Sequence, residues 1–401
     1  MKKSMITLAL AALVLTAFSC GKDDVVPSKY QGLTGHGSSG SGSGSNTGNN
    51  TGDNSGSTDT GQTNPVIDYT KYSLGDMAAL QGIRLGAAFT YWEYRNNPKV
   101  AEILTREFKA VTFGNEMKHD AIVQTNGTMN FNTADQMVQW AKNAGTELFG
   151  HVLGWHSQQQ TAYLNTLTGD PAAIDAAFKS YVFGMVEHFD VYAWDVVNET
   201  FSDGTNGAFR TQQTTQNGFV WGTYYPSTKD WVDAAFAYAT EACAKYGKSP
   251  VLYINDYNLE TDPGKRQALC NYAKNNPQVT GVASQMHLDI RTPDLKGKIE
   301  ASLRDLVATG KMVRIAELDL KNNSDVDQAD LFKFIFQKYL EIVPEAQRGG
   351  ITFWGINDKD SWLGEDSHAL LWKGSNYVQK ESYRALWQYL CELNGLNPYK
   401  E

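Results

Sequence analysis

Val313-Arg314-Ile315-Ala316-Glu317-Leu318-Asp319-Leu320 is an apolar run of strand length that carries two carboxylates near its end. Side chains alternate across a strand, so Val313, Ile315, Glu317 and Asp319 are expected on one face. Similar short runs recur on both sides of it, at 84–90, 110–116, 147–155, 191–198, 251–255, 281–288 and 351–356. Amphipathic helical patterns separate them, at 99–109, 133–143, 172–188, 229–246, 265–275, 295–309 and 328–342, and a last helix over 380–393 closes the chain. Strands that each lead into a helix predict an α/β fold with a parallel sheet, closed as a single (β/α)8 barrel of the TIM type. An open, doubly wound sheet alternates in the same way. It usually shows a glycine-rich phosphate turn after the first strand, and Gly86-Ala87-Ala88-Phe89 does not qualify.

In such a barrel the working residues sit at the carboxy-terminal ends of strands. Every candidate strand but the first ends in polar or aromatic groups. They are Asn115, Glu116 and Lys118; His151, Trp155 and His156; Asn198 and Glu199; Asn255 and Asp256; Gln285 and His287; Glu317 and Asp319; and Trp354. Convergence on one rim is the pattern of a site, since a purely structural barrel has no reason for it.

The 401 residues do not all suit one packed unit. Lys2 and Lys3, then an apolar run from Met5 to Phe18 too short to span a bilayer comfortably, read as an export leader over 1–20. The run ends in Cys20, which resembles the cleavage and lipidation site of a bacterial lipoprotein; Gly21-Lys22-Asp23-Asp24 resembles a surface-export signal of Bacteroidetes lipoproteins. Residues 21–65 are mostly Gly, Ser, Asn, Thr and Asp, which offers nothing to bury and predicts a flexible tether. The reading is therefore an exported lipoprotein held at the outer membrane and facing the cell exterior, with residues 66–401 as the barrel. The formal charge of −9 disfavours nucleic acid as a partner, and neutral substrates fit better. Ten Trp and 20 Tyr suit sugar faces, although core packing must claim most of those rings. Cys243, Cys270 and Cys391 fall in helical stretches and read as small buried hydrophobes, with one disulfide open. No partner chain and no cofactor are expected.

Cleaving a glycosidic bond without metal needs two carboxyl groups in different protonation states. Glu116, Glu199, Asp256, Glu317 and Asp319 are the candidates. Asn198 and Glu199 are adjacent, so both can face inward only if the backbone turns there. The segments VTFGNEMKHD, GHVLGWHSQ, WDVVNE, LYINDYNLE, SQMHLD, IAELD and FWGINDKDSW resemble, in order, the motifs of glycoside hydrolase family 10. The match runs from about residue 74 to 393.

That resemblance implies a retaining, double-displacement endo-1,4-β-xylanase acting on xylan and xylo-oligosaccharides. Glu199 would be acid/base and Glu317 nucleophile, about 5–5.5 Å apart, with Glu199 carrying a raised pKa before attack. His287 and Asp319 would orient Glu317 and keep it ionised, and Asp195 and His156 would stand behind the reacting groups. Asn198 would hold the neighbouring hydroxyl. Asn115, Glu116, Lys118, His151, Trp155 and Gln285 would position substrate, Trp354 and Trp362 would pack around the reactive sugar, and Tyr257 and Asn258 would lie on the leaving-group side. Trp140, Trp194, Trp387, His188 and His368 read as structural, and His119 is open.

Two departures from the family pattern stand out. A proline and an acidic residue usually precede NEMK, where this chain has Phe113-Gly114. After WHSQ the family continues into Pro and Trp, where this chain has Gln159-Gln160-Thr161-Ala162-Tyr163. Three rival readings remain. A metal-dependent hydrolase would draft His151, His156 and His287, but no H-x-H or HExxH pattern appears and no metal is expected. A non-catalytic surface glycan-binding lipoprotein would not need both glutamates. A β-1,4-glucan or mixed-linkage glucanase would differ by steric closure near Trp354 and Trp362.

Overall fold

Helix starts in this chain follow a repeated local rule. Asn97-Pro98, Asp170-Pro171 and Asp262-Pro263 each place a capping side chain before a proline at the first helical position. The Asn or Asp oxygen accepts from a free N–H of the first turn, and proline has no N–H there to leave unpaired. The helices Asn132–Ala144 and Thr228–Tyr246 end where Gly145 and Gly247 take left-handed φ values of 69° and 67°. These signals cut the chain into alternating strands and helices. The computed structural model describes residues 65–400 apart from 213–216 and 323–324. The expected leader with Cys20, and the linker up to residue 64, lie outside the described residues.

The strands are β1 (Leu85–Phe89), β2 (Ala110–Phe113), β3 (Glu147–Gly154), β4 (Ala193–Asn198), β5 (Val251–Asp256), β6 (Gly281–Ser284), β7 (His287–Asp289), β8 (Met312–Lys321) and β9 (Arg348–Phe353). Neighbours run β6-β5-β4-β3-β2-β1-β9-β8, and β8 pairs back onto β6, so the parallel sheet closes. The expected strand over 281–288 is in fact two pieces, β6 and β7. Met286 takes a φ of +57° and interrupts the extended backbone, while Gln285 N–H donates to Asp256 and Gln285 C=O accepts from Glu317 N–H. Counted as one broken strand, it completes the (β/α)8 barrel.

The face expected for 313–320 needs a correction. Arg314 and Ala316, not Val313 and Ile315, face the barrel interior. Ala316 packs with Phe149, Ala193, Tyr253 and Ala283, and the Arg314 guanidinium lies 3.5 Å from the Phe149 ring centroid. Val313 and Ile315 belong to the larger core under the helices. The β8–β9 register slips between Ile315 and Leu318, and this bulge resets the alternation. Glu317 and Asp319 therefore still face inward, although the two-residue period from Val313 was not the reason. Deeper in, Tyr253 fills the barrel floor. A Cβ at Gly281 or Gly349 would come within 2.3 Å or 2.2 Å of it, so both positions require glycine.

Cys243, Cys270 and Cys391 are buried and free. Among the described residues no helix is long and apolar enough to cross a membrane.

Candidate active site

The carboxy-terminal mouth of the barrel opens into a cavity of about 560 Å³. Asn115, Lys118, His151, Trp155, Asn198, Glu199, Tyr257, Asn258, Gln285, His287, Glu317, Trp354 and Trp362 line it, drawn from strands all round the sheet. The two glutamates reach it by different backbone devices. Glu317 follows the β8 bulge. Glu199 takes a φ of +58°, the turn its adjacency to Asn198 demanded, and its N–H donates to Asn255 C=O at 2.9 Å. A left-handed conformation on a non-glycine residue is strained by about 1 kcal/mol or more and persists because the neighbours hold it.

Each glutamate has its own partners. Glu317 accepts from Asn255 Nδ2 at 2.8 Å and lies 3.3 Å from His287 Nε2. His287 Nδ1 is 2.8 Å from Asp319, which also accepts from the Trp362 indole N–H at 2.8 Å. Burial works to keep the His287 ring neutral, but Asp319 and Glu317 outweigh it and push the ring up to about 10. His287 is therefore a cation between two carboxylates.

Glu199 is 3.0 Å from His156 Nε2 and accepts from Gln285 Nε2 at 3.2 Å and Asn198 Nδ2 at 3.3 Å. The raised pKa expected for it is not what its surroundings give. Burial does favour the neutral form, yet the His156 ring and the Gln285 donor prevail and hold the carboxyl down to about 2. Only burial was legible from the motif; the donors come from other strands.

Behind these groups His151 Nδ1 is 2.9 Å from Asp195, both fully enclosed. Asp195 thus braces His151 directly, and His156 touches Glu199. Donor atoms of His151, Asp195 and Glu317 lie within 4.8 Å of one another, the spacing of a potential cation site, although His151 and Asp195 already bond to each other. Lys118 Nζ donates to Gln158 at 2.7 Å and sits 4.8 Å from the Trp155 ring centroid. Tyr257 is fixed on the far rim by Asp203 at 2.7 Å and Arg210 at 3.0 Å.

Glu116 is a correction. Both its oxygens are used by backbone, Oε1 accepting from Tyr91 N–H at 2.7 Å and Oε2 from Asn115 N–H at 3.3 Å, and it is absent from the cavity wall. It braces the loop that presents Asn115. His119 is structural as well: it is buried, accepts from Gln160 N–H and packs edge-on against Tyr181 and Trp221. His188 stacks on Phe131, Trp140 packs on Phe89, and Trp194 and Trp387 are fully buried. Sequence reasoning missed Asn255 as a partner of Glu317, although it had placed Asn255 at a strand end. It also missed Thr90, Glu93, Gln158 and Asp360 on the wall. The signal at Thr90-x-x-Glu93 is that of a helix cap, which conceals any second use.

A parallel (β/α)8 barrel whose mouth brings two glutamates, amides and indoles onto one cavity has the fold and site plan of the barrel glycoside hydrolases. Residues 73–389 match glycosyl hydrolase family 10, and the chain belongs to that family. It is similar to endo-β-1,4-xylanase Xyn10C of Cellvibrio japonicus, at 29% identity over 67% of this chain and 47% of that protein. Endo-1,4-β-xylanase A of the same species, strain Ueda107, is 29% identical over 72% of this chain and 51% of its own length. The chain thus spans about half the length of these relatives. Among solved structures, a mutant xylanase 10C from Cellvibrio japonicus in complex with xylopentaose superposes with a TM-score of 0.73 at 25% identity, covering 83% of this chain and 71% of that one. Native xylanase 10B from Thermotoga maritima gives 0.68 at 28% identity, covering 80% and 98%.

Proposed function

We propose that the protein is a retaining endo-1,4-β-xylanase that hydrolyses internal bonds of xylan by double displacement. The observation that carries the reading is the pairing of Glu199 and Glu317 across one cavity in contrasting surroundings. Glu317 lies 3.3 Å from the His287 cation, fit to attack the anomeric carbon. As that bond forms, the glycosidic C–O bond breaks and Glu199 delivers a proton to the departing oxygen. The His156 ring stands 3.0 Å from Glu199 and holds its carboxyl in place for that transfer. In the second step Glu199 takes a proton from water as the water attacks the same carbon. The ester to Glu317 breaks, and the hydroxyl ends on the face the leaving group had occupied. Asn198, fixed by Gln285 at 3.0 Å, presents its amide to the hydroxyl next to the reacting carbon.

The relatives named above are endo-xylanases, and one was solved with xylopentaose, which supports xylan as the substrate class. The test is product analysis on xylan, arabinoxylan and barley mixed-linkage glucan, with proton NMR reading the anomer first released. β-Anomers from xylan, appearing as a ladder of oligomers, are expected. Initial α-anomers, or faster release from barley glucan, would overturn the reading. The export leader and a lipid on Cys20 belong to the same proposal. Metabolic labelling with a palmitate analogue, lost in Cys20→Ala, checks the anchor, and protease shaving of whole cells checks surface exposure.

A further inference from the structure

Glu93 lies on the cavity wall but has no part in the reaction described above. It is the third residue of the helix Tyr91–Asn96, which starts where β1 ends. Its Oε2 accepts from Thr90 N–H at 2.6 Å and from Thr90 Oγ1 at 2.7 Å, so one oxygen secures the helix start. The second oxygen belongs to a carboxyl that lines the cavity. Next to it, Gly114 contributes only backbone to the wall. A Cβ at Gly114 would stand 3.2 Å from Thr90 Cγ2, so Thr90, to which the Glu93 carboxyl is bonded, borders the space that a side chain at 114 would need. This is the position where the motif lacks its usual acidic residue. Asp360 lines the same wall, its Oδ2 accepting from Tyr377 O–H at 2.5 Å and Asn357 Nδ2 at 3.1 Å. The Trp362 indole, 61% exposed, stands on the same rim.

The side of the cleft follows from the sheet order. β1, β2 and β9 are neighbours and lie across the barrel from β5, which carries Tyr257 and Asn258. Glu199 is on β4's side and protonates the leaving oxygen, so the departing sugar lies toward Tyr257. The retained part of the chain therefore extends toward Thr90, Gly114 and Asp360. A second sugar on that side presents ring hydroxyls to the wall and an apolar face to an indole.

On this basis we propose that Glu93 is a specificity-determining residue that hydrogen-bonds the hydroxyls of the second sugar on the retained side, a carboxyl supplied by the β1 loop where position 114 has none. The proposal rests on the xylanase reading and adds the length of chain the enzyme requires. Asp360 and Glu116 face Glu93 from the loops after β9 and β2, and burial, the largest influence, raises its carboxyl to about 7.

The test compares aryl β-xylobioside, which fills two sites on the retained side, with aryl β-xyloside, which fills one. In Glu93→Gln the cap to Thr90 survives, because glutamine serves that role too. Exchanging the carboxyl, with its two acceptor oxygens, for an amide should lower the ratio of kcat/KM for xylobioside to kcat/KM for xyloside by about fivefold to tenfold, chiefly through KM. Glu93→Ala should lower the ratio further. An unchanged ratio in both variants, or an equal fall on both substrates, overturns the proposal and leaves Glu93 as a helix cap. If the parent enzyme cleaves neither xylan nor the xylobioside, the underlying function has failed instead.

Discussion

Replacing Lys265 with methionine keeps most of the side chain's length and removes its charge. Lys265 Nζ stands 2.8 Å from Asp256 and 2.9 Å from Asp203, and 3.5 Å from the Tyr257 ring centroid. Lys265 and Asp256 have no exposed side-chain surface, whereas Asp203 is 46% exposed and its share is screened. Removing one partner of a fully buried pair leaves an uncompensated charge, at a cost of about 3–5 kcal/mol. Asp256 can avoid that cost by taking up a proton. Burial already pushes its carboxyl up to about 6 against the pull of Lys265. A carboxyl whose folded pKa is raised holds its proton more tightly when folded, so ionising it opposes folding as pH climbs from about 4 to 6 and beyond. Without Lys265 that pKa rises further, and the deficit of the variant must grow with pH.

For a domain of this size each kcal/mol moves Tm by roughly 2 °C. Scanning calorimetry should therefore find Lys265→Met lower by roughly 6–10 °C at pH 8, and by roughly 2 °C or less at pH 4.5, where Asp256 is protonated in both proteins. Adding Asp256→Asn should recover most of the loss at pH 8. Equal losses at the two pH values, or a double variant no better than the single one, would refute the unpaired carboxylate as the cause. Asp256 also accepts from Phe201 N–H at 3.1 Å and precedes Tyr257, so kcat/KM on xylan should fall with stability at pH 8.

Glu317→Gln should lose turnover almost completely yet keep its fold and bind xylo-oligosaccharide in calorimetric titration; retention of more than a few per cent of activity would reject it as nucleophile. Glu199→Ala should lose about 10²–10⁴-fold on xylan and far less in forming the glycosyl-enzyme from aryl glycosides with good leaving groups, with azide restoring its turnover; equal losses on both substrates would reject the acid role. His287 carries a raised pKa of about 10, so its stabilising charge is complete below about pH 6.5 and fades as pH rises through 10. The Tm deficit of His287→Gln should then be largest near pH 6 and shrink toward pH 10. Dialysis against EDTA should leave xylan hydrolysis intact, whereas loss reversed by one divalent cation would point to the His151, Asp195 and Glu317 cluster as a metal site.

Local chemistry made much of this molecule legible from its chain. Strand-length apolar runs, amphipathic helical patterns and polar residues at strand ends need only neighbours a few positions away, and they yielded the barrel and its rim. The pairing of Glu199 with Glu317 followed from motifs, and the forced turn at Glu199 from its adjacency to Asn198. What the chain did not disclose depends on registers between distant strands. The slip between β8 and β9 turns Ala316 inward and resets the face of Glu317. Met286 breaks the sixth strand. Glu116 looks like a substrate residue from its place at a strand end, but its oxygens turn to the Tyr91 and Asn115 N–H groups and it stays off the cavity wall. The acidity of Glu199 shifted in the opposite sense to expectation because His156 and Gln285, 43 and 86 positions away, meet its carboxylate. Hydrogen-bond donors act over about 3 Å, so only the closed sheet could decide which ones each carboxylate would find.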